Sequence, residues 1–171
     1  RDYHNIIRAI LLTGKPIVAV LNGVAAGAGM SIALACDYRF FLYKDGDRIY
    51  MTYKKIFVPG FCDMGLIADA GMTATLPRLV GRVEAQKLCE YPVSGATVNE
   101  ARNIGLMGVE LYRGSALEDF EPVRQLIAGS AVSYARLKEI RNSALVYKLN
   151  KRVFPWELKA QAACLSSDYF K

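Results

Sequence analysis

The sequence contains one histidine, no cysteine pair spaced C-x-x-C, and no apolar run approaching the roughly 18 residues of a membrane span. A zinc site needs more ligands than His4 can offer, and a redox-active dithiol has no sequence basis. Cys36, Cys62, Cys89 and Cys164 lie far apart, and three of them have apolar neighbours, so buried, reduced thiols are expected. Basic residues never form a run interleaved with aromatics. The net charge of +6 therefore argues against a nucleic-acid groove and suits an anionic small ligand, such as a phosphorylated carrier. There is no opening Met and no signal-like segment: Arg1 already lies inside a helical pattern. The chain is expected to begin partway into a longer protein, with any targeting sequence upstream.

What is present is a core. Hydrophobic residues make up 53 % of the 171 positions and charged ones 22 %, as in a globular protein with one domain. Residues 2–12 carry Ile6, Ile7, Ile10 and Leu11 at helical spacing, stopped by Gly14 and Pro16. Residues 17–21 form a wholly apolar strand, expected to be buried on both faces. A turn of small residues, 22–29, leads into an apolar helix at 30–36, and 38–43 is a second strand rich in aromatics. The polar stretch 44–55 includes Asp45-Gly46 and reads as an exposed excursion. Residues 57–67 lead to a second turn at 68–73. A helix over 77–90 should turn Leu79, Val80, Val83 and Leu88 inward. A short helix at 98–104, a strand at 106–112 and helices at 116–128, 131–144 and 156–164 complete the chain. Strands alternate with helices and then give way to helices alone, which indicates an α/β fold with a helical appendage: a core over 1–115 and a C-terminal helical region over 116–171.

The turn at 22–29 has several possible uses. Gly27-Ala28-Gly29 is followed by Met30-Ser31-Ile32, so the third glycine of a dinucleotide fingerprint is absent. Met30 stands where a P-loop would need lysine. Small residues there let the backbone approach a ligand, and the following helix aims free N–H groups at it, which would stabilise an oxygen carrying partial negative charge. Tight packing of helix on sheet is the alternative from the turn alone.

The run from Lys15-Pro16 through Asn22-Gly23, Gly27-Ala28-Gly29 and Ser31 to Cys36-Asp37 closely resembles the signature of the crotonase (enoyl-CoA hydratase/isomerase) superfamily. Gly65, Asp69, Gly71 and Thr73, followed by Leu76-Pro77-Arg78-Leu79-Val80-Gly81, resemble its second landmark, and Glu100-Ala101 with Gly105-Leu106 its third. The tail, with Trp156-Glu157 and Ser167-Asp168-Tyr169-Phe170, looks like the family's C-terminal helices. The resemblance implies a crotonase-like spiral of ββα turns with a helical trimerisation region, a homotrimer or dimer of trimers, and an acyl-CoA thioester as ligand. It implies no separate cofactor, coenzyme A being part of the substrate. The family holds the thioester oxygen with two backbone N–H groups. One carries over to Ala28, with Ala26, Gly27 and Gly29 around the substrate; the other belongs to a loop expected before Arg1.

Water addition in this family uses two carboxylates, at positions matching Ser31 and, across the apparent insertion of roughly ten residues at 44–55, Phe61. Neither can act as a base, which disfavours a standard hydratase and leaves Phe61 as a substrate-side residue. Isomerisation needs one base, and Asp69 matches a catalytic position of the phenylacetate-pathway ring isomerases and dienoyl-CoA isomerases. For Asp69, a helix N-cap or a turn held by Gly71 and Thr73 is the structural alternative. Asp63 reads as a surface turn residue, Asp37 as structural, and His4 as a solvated helix residue. The expected function is double-bond migration in an enoyl-CoA, in the cytoplasm or a mitochondrial or peroxisomal matrix. A hydratase with an unrecognised second acid and a non-catalytic crotonase-like scaffold or complex subunit remain as alternatives.

Overall fold

The computed structural model describes residues 2–43, 54–58, 61–91, 95–112, 116, 118 and 120–169. Most of the excursion at 44–55 lies outside the described residues, while Lys54 and Lys55 are exposed. Helix α1 (Asp2–Leu12) packs Ile7 and Leu11 inward. Strands β1 (Val18–Leu21), β3 (Tyr38–Tyr43) and β5 (Val109–Tyr112) form a parallel sheet in the order β1-β3-β5. Val18 pairs with Tyr38, and Phe40 pairs on its other side with Val109. Burial of 17–21 on both faces does not occur: Val20 is 40 % exposed, and among the described residues β1 lies at the edge of the sheet.

The small-residue turn is shorter than expected. Ala25–Ala26 forms strand β2, which pairs in parallel with β4 (Phe57–Val58), and Ala25 N–H donates to the Ile56 carbonyl at 2.7 Å. Helix α2 (Gly27–Ala35) therefore starts at Gly27 rather than at Met30. The second turn also ends early, because helix α3 (Met72–Glu90) starts five residues before Pro77. Pro77 lies inside this helix, where it removes the N–H bond to the Thr73 carbonyl, yet the backbone stays helical there. The kink falls instead at Gly81, at φ 79° and ψ 166°. That break resets the helical phase, which is why Val83 points outward at 64 % exposure while Ala85 and Leu88 are buried.

Helix α4 (Val98–Asn103) opens with a capping box: Thr97 Oγ1 accepts from Glu100 N–H, and Glu100 returns the bond to Thr97 N–H. Helix α5 starts at Glu121 and runs to Ala128, with Pro122 in its first turn. Helix α6 (Ala131–Lys148) does not stop at 144 but continues through a π-helical turn (Leu149–Val153) into α7 (Phe154–Leu165). Among the described residues, no helix is long and apolar enough to cross a membrane.

Two apolar clusters meet across α2 and α3. The larger packs Met30 and Leu34 against Phe41, Phe57, Met72 and Leu106. The smaller joins α1 to the helical tail through Ile7, Ala35, Ala74, Leu149 and Phe154. His4, expected in solvent, is buried in this second region and stacks on the Phe154 ring at 4.0 Å. A ring contact made across the chain decided its environment. The thiols also depart from expectation: only Cys36 is buried, Cys89 and Cys164 are half-buried and Cys62 is exposed, all four being free. Asp37 is structural: its Oδ2 accepts from Ile17 N–H at 2.8 Å and from the buried Lys138 Nζ at 2.6 Å, and Arg141 pairs with Oδ1.

Candidate functional site

The site begins where β2 ends. Gly27 has φ +51°, a left-handed conformation that side chains rarely adopt, and nothing lies within 4 Å of where its Cβ would be. Gly29 faces equally open space. Ala26 and Gly29 are exposed, while Gly27 and Ala28 are half-buried. The N-cap residue is Ala26, whose side chain cannot cap, so no side chain covers the first-turn N–H groups of α2, which carry the positive end of the helix dipole. This is a donor array suited to an oxyanion.

Asp69 stands on the segment before α3. Ala70 at φ +51° and Gly71 at φ +81° follow it, two successive left-handed residues that reverse the chain into the helix. The non-glycine member costs about 1 kcal/mol, and the turn persists because its neighbours hold it. The Asp69 carbonyl accepts from Met72 N–H at 3.0 Å and from the Ser31 hydroxyl at 3.1 Å. Ser31 lies one helical turn beyond Ala28, so this bond joins the donor array to the carboxylate segment across a rise of roughly 5 Å. The N-cap of α3 is Gly71, so Asp69 is not spent on capping. Burial raises the Asp69 carboxyl above its ordinary range, opposed by its own backbone N–H. A half-buried carboxyl of this kind can exchange a proton with a neighbouring ligand.

Helix α7 closes the segment from the other side. Gln161 Oε1 accepts from Ile67 N–H at 3.0 Å, and the Tyr169 hydroxyl donates to the Asp63 carbonyl at 2.8 Å. Glu157, only 4 % exposed, accepts from Gly71 N–H at 2.9 Å and from the Thr73 hydroxyl at 2.6 Å. The sequence did not mark Glu157 or Gln161 as part of the site. Their partners lie 86 and 94 residues away, and a lone Glu in a helical tail carries no local signal. Phe61 is 4 % exposed and packs in the larger core cluster with Met30 and Met72, behind the segment rather than on its surface. Asp63 is exposed on a 3₁₀ turn (Cys62–Met64), as expected. Between α3 residues, a cleft of about 250 Å³ runs from Ala68 and Thr73 to Glu90.

Among the described residues, no group of three or more His, Cys, Asp or Glu side chains could hold a metal ion. The family profile described as enoyl-CoA hydratase/isomerase matches residues 1–171. The chain is 38 % identical over 88 residues to 1,2-epoxyphenylacetyl-CoA isomerase of Escherichia coli (strain K12), covering 52 % of this chain and 30 % of that protein. It is 31 % identical over 132 residues to crotonyl-CoA hydratase of Syntrophomonas wolfei, covering 77 % of this chain and 45 % of the relative. The matched part of the chain thus spans 30 % and 45 % of the length of these curated relatives. A crystal structure of an enoyl-CoA hydratase from Mycobacterium avium subsp. paratuberculosis K-10 superposes with a TM-score of 0.81 at 29 % identity, covering 99 % of this chain and 66 % of that one. With its crotonase-like fold and C-terminal helices, the chain belongs to the enoyl-CoA hydratase/isomerase family.

Proposed function

We propose that the protein is an acyl-CoA-binding isomerase that moves a double bond in an enoyl-CoA. The observation carrying this reading is the Ser31–Asp69 link, which ties a half-buried carboxyl to the helix whose first turn presents Ala28 N–H. The thioester oxygen would sit at Ala28 N–H, with Ala26, Gly27 and Gly29 leaving room for it and Phe61 backing the acyl pocket. Asp69 would take a proton from one carbon of the acyl chain, giving a dienolate whose charge rests on the oxyanion donors. It would then return the proton two carbons along. Coenzyme A enters as part of the substrate and no other cofactor is needed. The second oxyanion donor, a spiral of ββα turns continued beyond this chain and assembly into a homotrimer or dimer of trimers belong to the same proposal.

Water addition would need a second carboxylate free to hold water. Glu157 feels the charge of Asp69, but both its oxygens are engaged by Gly71 and Thr73. That favours isomerisation over hydration. The test is Asp69→Asn in the full-length protein, with a set of enoyl-CoA esters followed by NMR. Loss of double-bond migration by at least about a hundredfold, with CoA-ester binding retained, is expected. Unchanged turnover refutes the proposal, and absent CoA-ester affinity would point to a scaffold.

A further inference from the structure

We propose that Glu157 is a positioning residue for Asp69, clamping the left-handed turn behind it. This rests on the reading of Asp69 as the proton shuttle. The clamp is geometric. Glu157 comes from the first turn of α7, and its two oxygens take the Gly71 N–H and the Thr73 hydroxyl, on either side of the start of α3. The Gly71 N–H, next to the strained Ala70, thus finds its partner inside the Ala70-Gly71 reversal. A side chain at Gly71 would meet Leu149 and Phe154 at 3.1 and 3.2 Å, so α7 and the π-helical turn also fill the space behind the reversal.

Burial raises the Glu157 carboxyl first; the bonds from Thr73 and Gly71 oppose this, and the charge on Asp69 raises it further. The Asp69 carboxyl is itself raised by burial and opposed by its own backbone N–H, so Glu157 acts on it through the turn it clamps. Other charged or titratable groups around Glu157 are Arg152, which lines an apolar depression together with Ile67, Trp156 and Glu157, and His4 and Arg8 of α1, which lie against Phe154. Of these neighbours, Asp69 is the charge that Glu157 feels.

Glu157→Gln keeps the shape and an oxygen for Gly71 N–H, while Glu157→Ala removes the clamp. In the full-length protein, kcat and KM for an enoyl-CoA ester are measured beside CoA-ester binding and thermal melts. Glu157→Ala should lower kcat by roughly tenfold with KM little changed, and Glu157→Gln should recover most of that loss. Unchanged kcat in a folded Glu157→Ala protein overturns the inference. If that variant fails to fold, Thr73→Val serves: losing one arm of the clamp should lower kcat in the same way but less far, and no fall overturns the inference. Turnover retained in Asp69→Asn would instead refute the isomerase reading, so the two failures are distinguishable.

Discussion

The Ser31 hydroxyl donates to the Asp69 carbonyl oxygen, 38 residues away, and so fixes the spacing between the first turn of α2 and the segment carrying the carboxylate. The family resemblance sets Ser31 at the position of a carboxylate used in water addition; here its hydroxyl instead bonds the backbone of the segment that carries Asp69.

Ser31→Ala should therefore separate stability from activity. The Asp69 carbonyl keeps its bond from Met72 N–H, so the loss of stability should be about 1 kcal/mol or less. Freed from α2, Asp69 can drift from its working distance, and small displacements of a reacting group are costly. A drop in kcat of roughly tenfold with little change in CoA-ester affinity is expected. Steady-state kinetics beside thermal melts provide the check; equal losses in binding and turnover would contradict it.

The pH dependence follows from the raised carboxyls. Asp69 accepts a proton only when ionised, so kcat/KM should fall on acidification, starting above the ordinary carboxylate range. For stability, the folded state holds its proton more tightly than the unfolded chain, so the native state binds more protons between the two pKa values. The stabilising contribution of protonated Asp69 is present in acid and is lost as pH rises through the folded pKa. Asp69→Asn, neutral throughout, should be more stable than the natural protein at neutral pH, with the gap closing toward acid. Melting temperatures across pH test this directly.

The sequence revealed what local pattern can carry. Helix α1 and strand β3 were legible to the residue, because periodicity is read within a dozen positions. Contacts made across the chain were not. His4 gave no sign of Phe154, and Val83 looked inward because nothing local showed that Gly81 would break the helical phase. Trp156-Glu157 marked the helical tail, but its partners Gly71 and Thr73 could not be read from it for the same reason.

Asp37 should be the most sensitive position outside the site. Removing its carboxylate leaves Lys138, 4 % exposed, without its counter-ion and strips the acceptor from Ile17 N–H. Asp37→Ala should cost about 3–5 kcal/mol, the range for breaking a buried pair. Arg141→Ala, removing the exposed partner, should cost about 1 kcal/mol or less. Denaturant unfolding of both variants tests the contrast, and comparable losses would show that the buried lysine is not what makes Asp37 sensitive.

Two glycines should respond in opposite ways to the same methyl group. At Gly71, with φ +81° and Leu149 and Phe154 crowding the space, alanine adds backbone strain to overpacking and should cost about 2–4 kcal/mol. At Gly29, a helical residue with open space around it, alanine should stabilise α2 by up to about 1 kcal/mol. That same methyl would project beside the Ala28 N–H, where the thioester is proposed to lie. Gly29→Ala should therefore raise the melting temperature while weakening CoA-ester binding, by roughly tenfold if the methyl costs about 1.4 kcal/mol of affinity. Calorimetric titration with a non-reactive acyl-CoA, set beside the melts, reads both effects. If binding is unchanged while stability rises, the space above Gly29 is not where the acyl group sits.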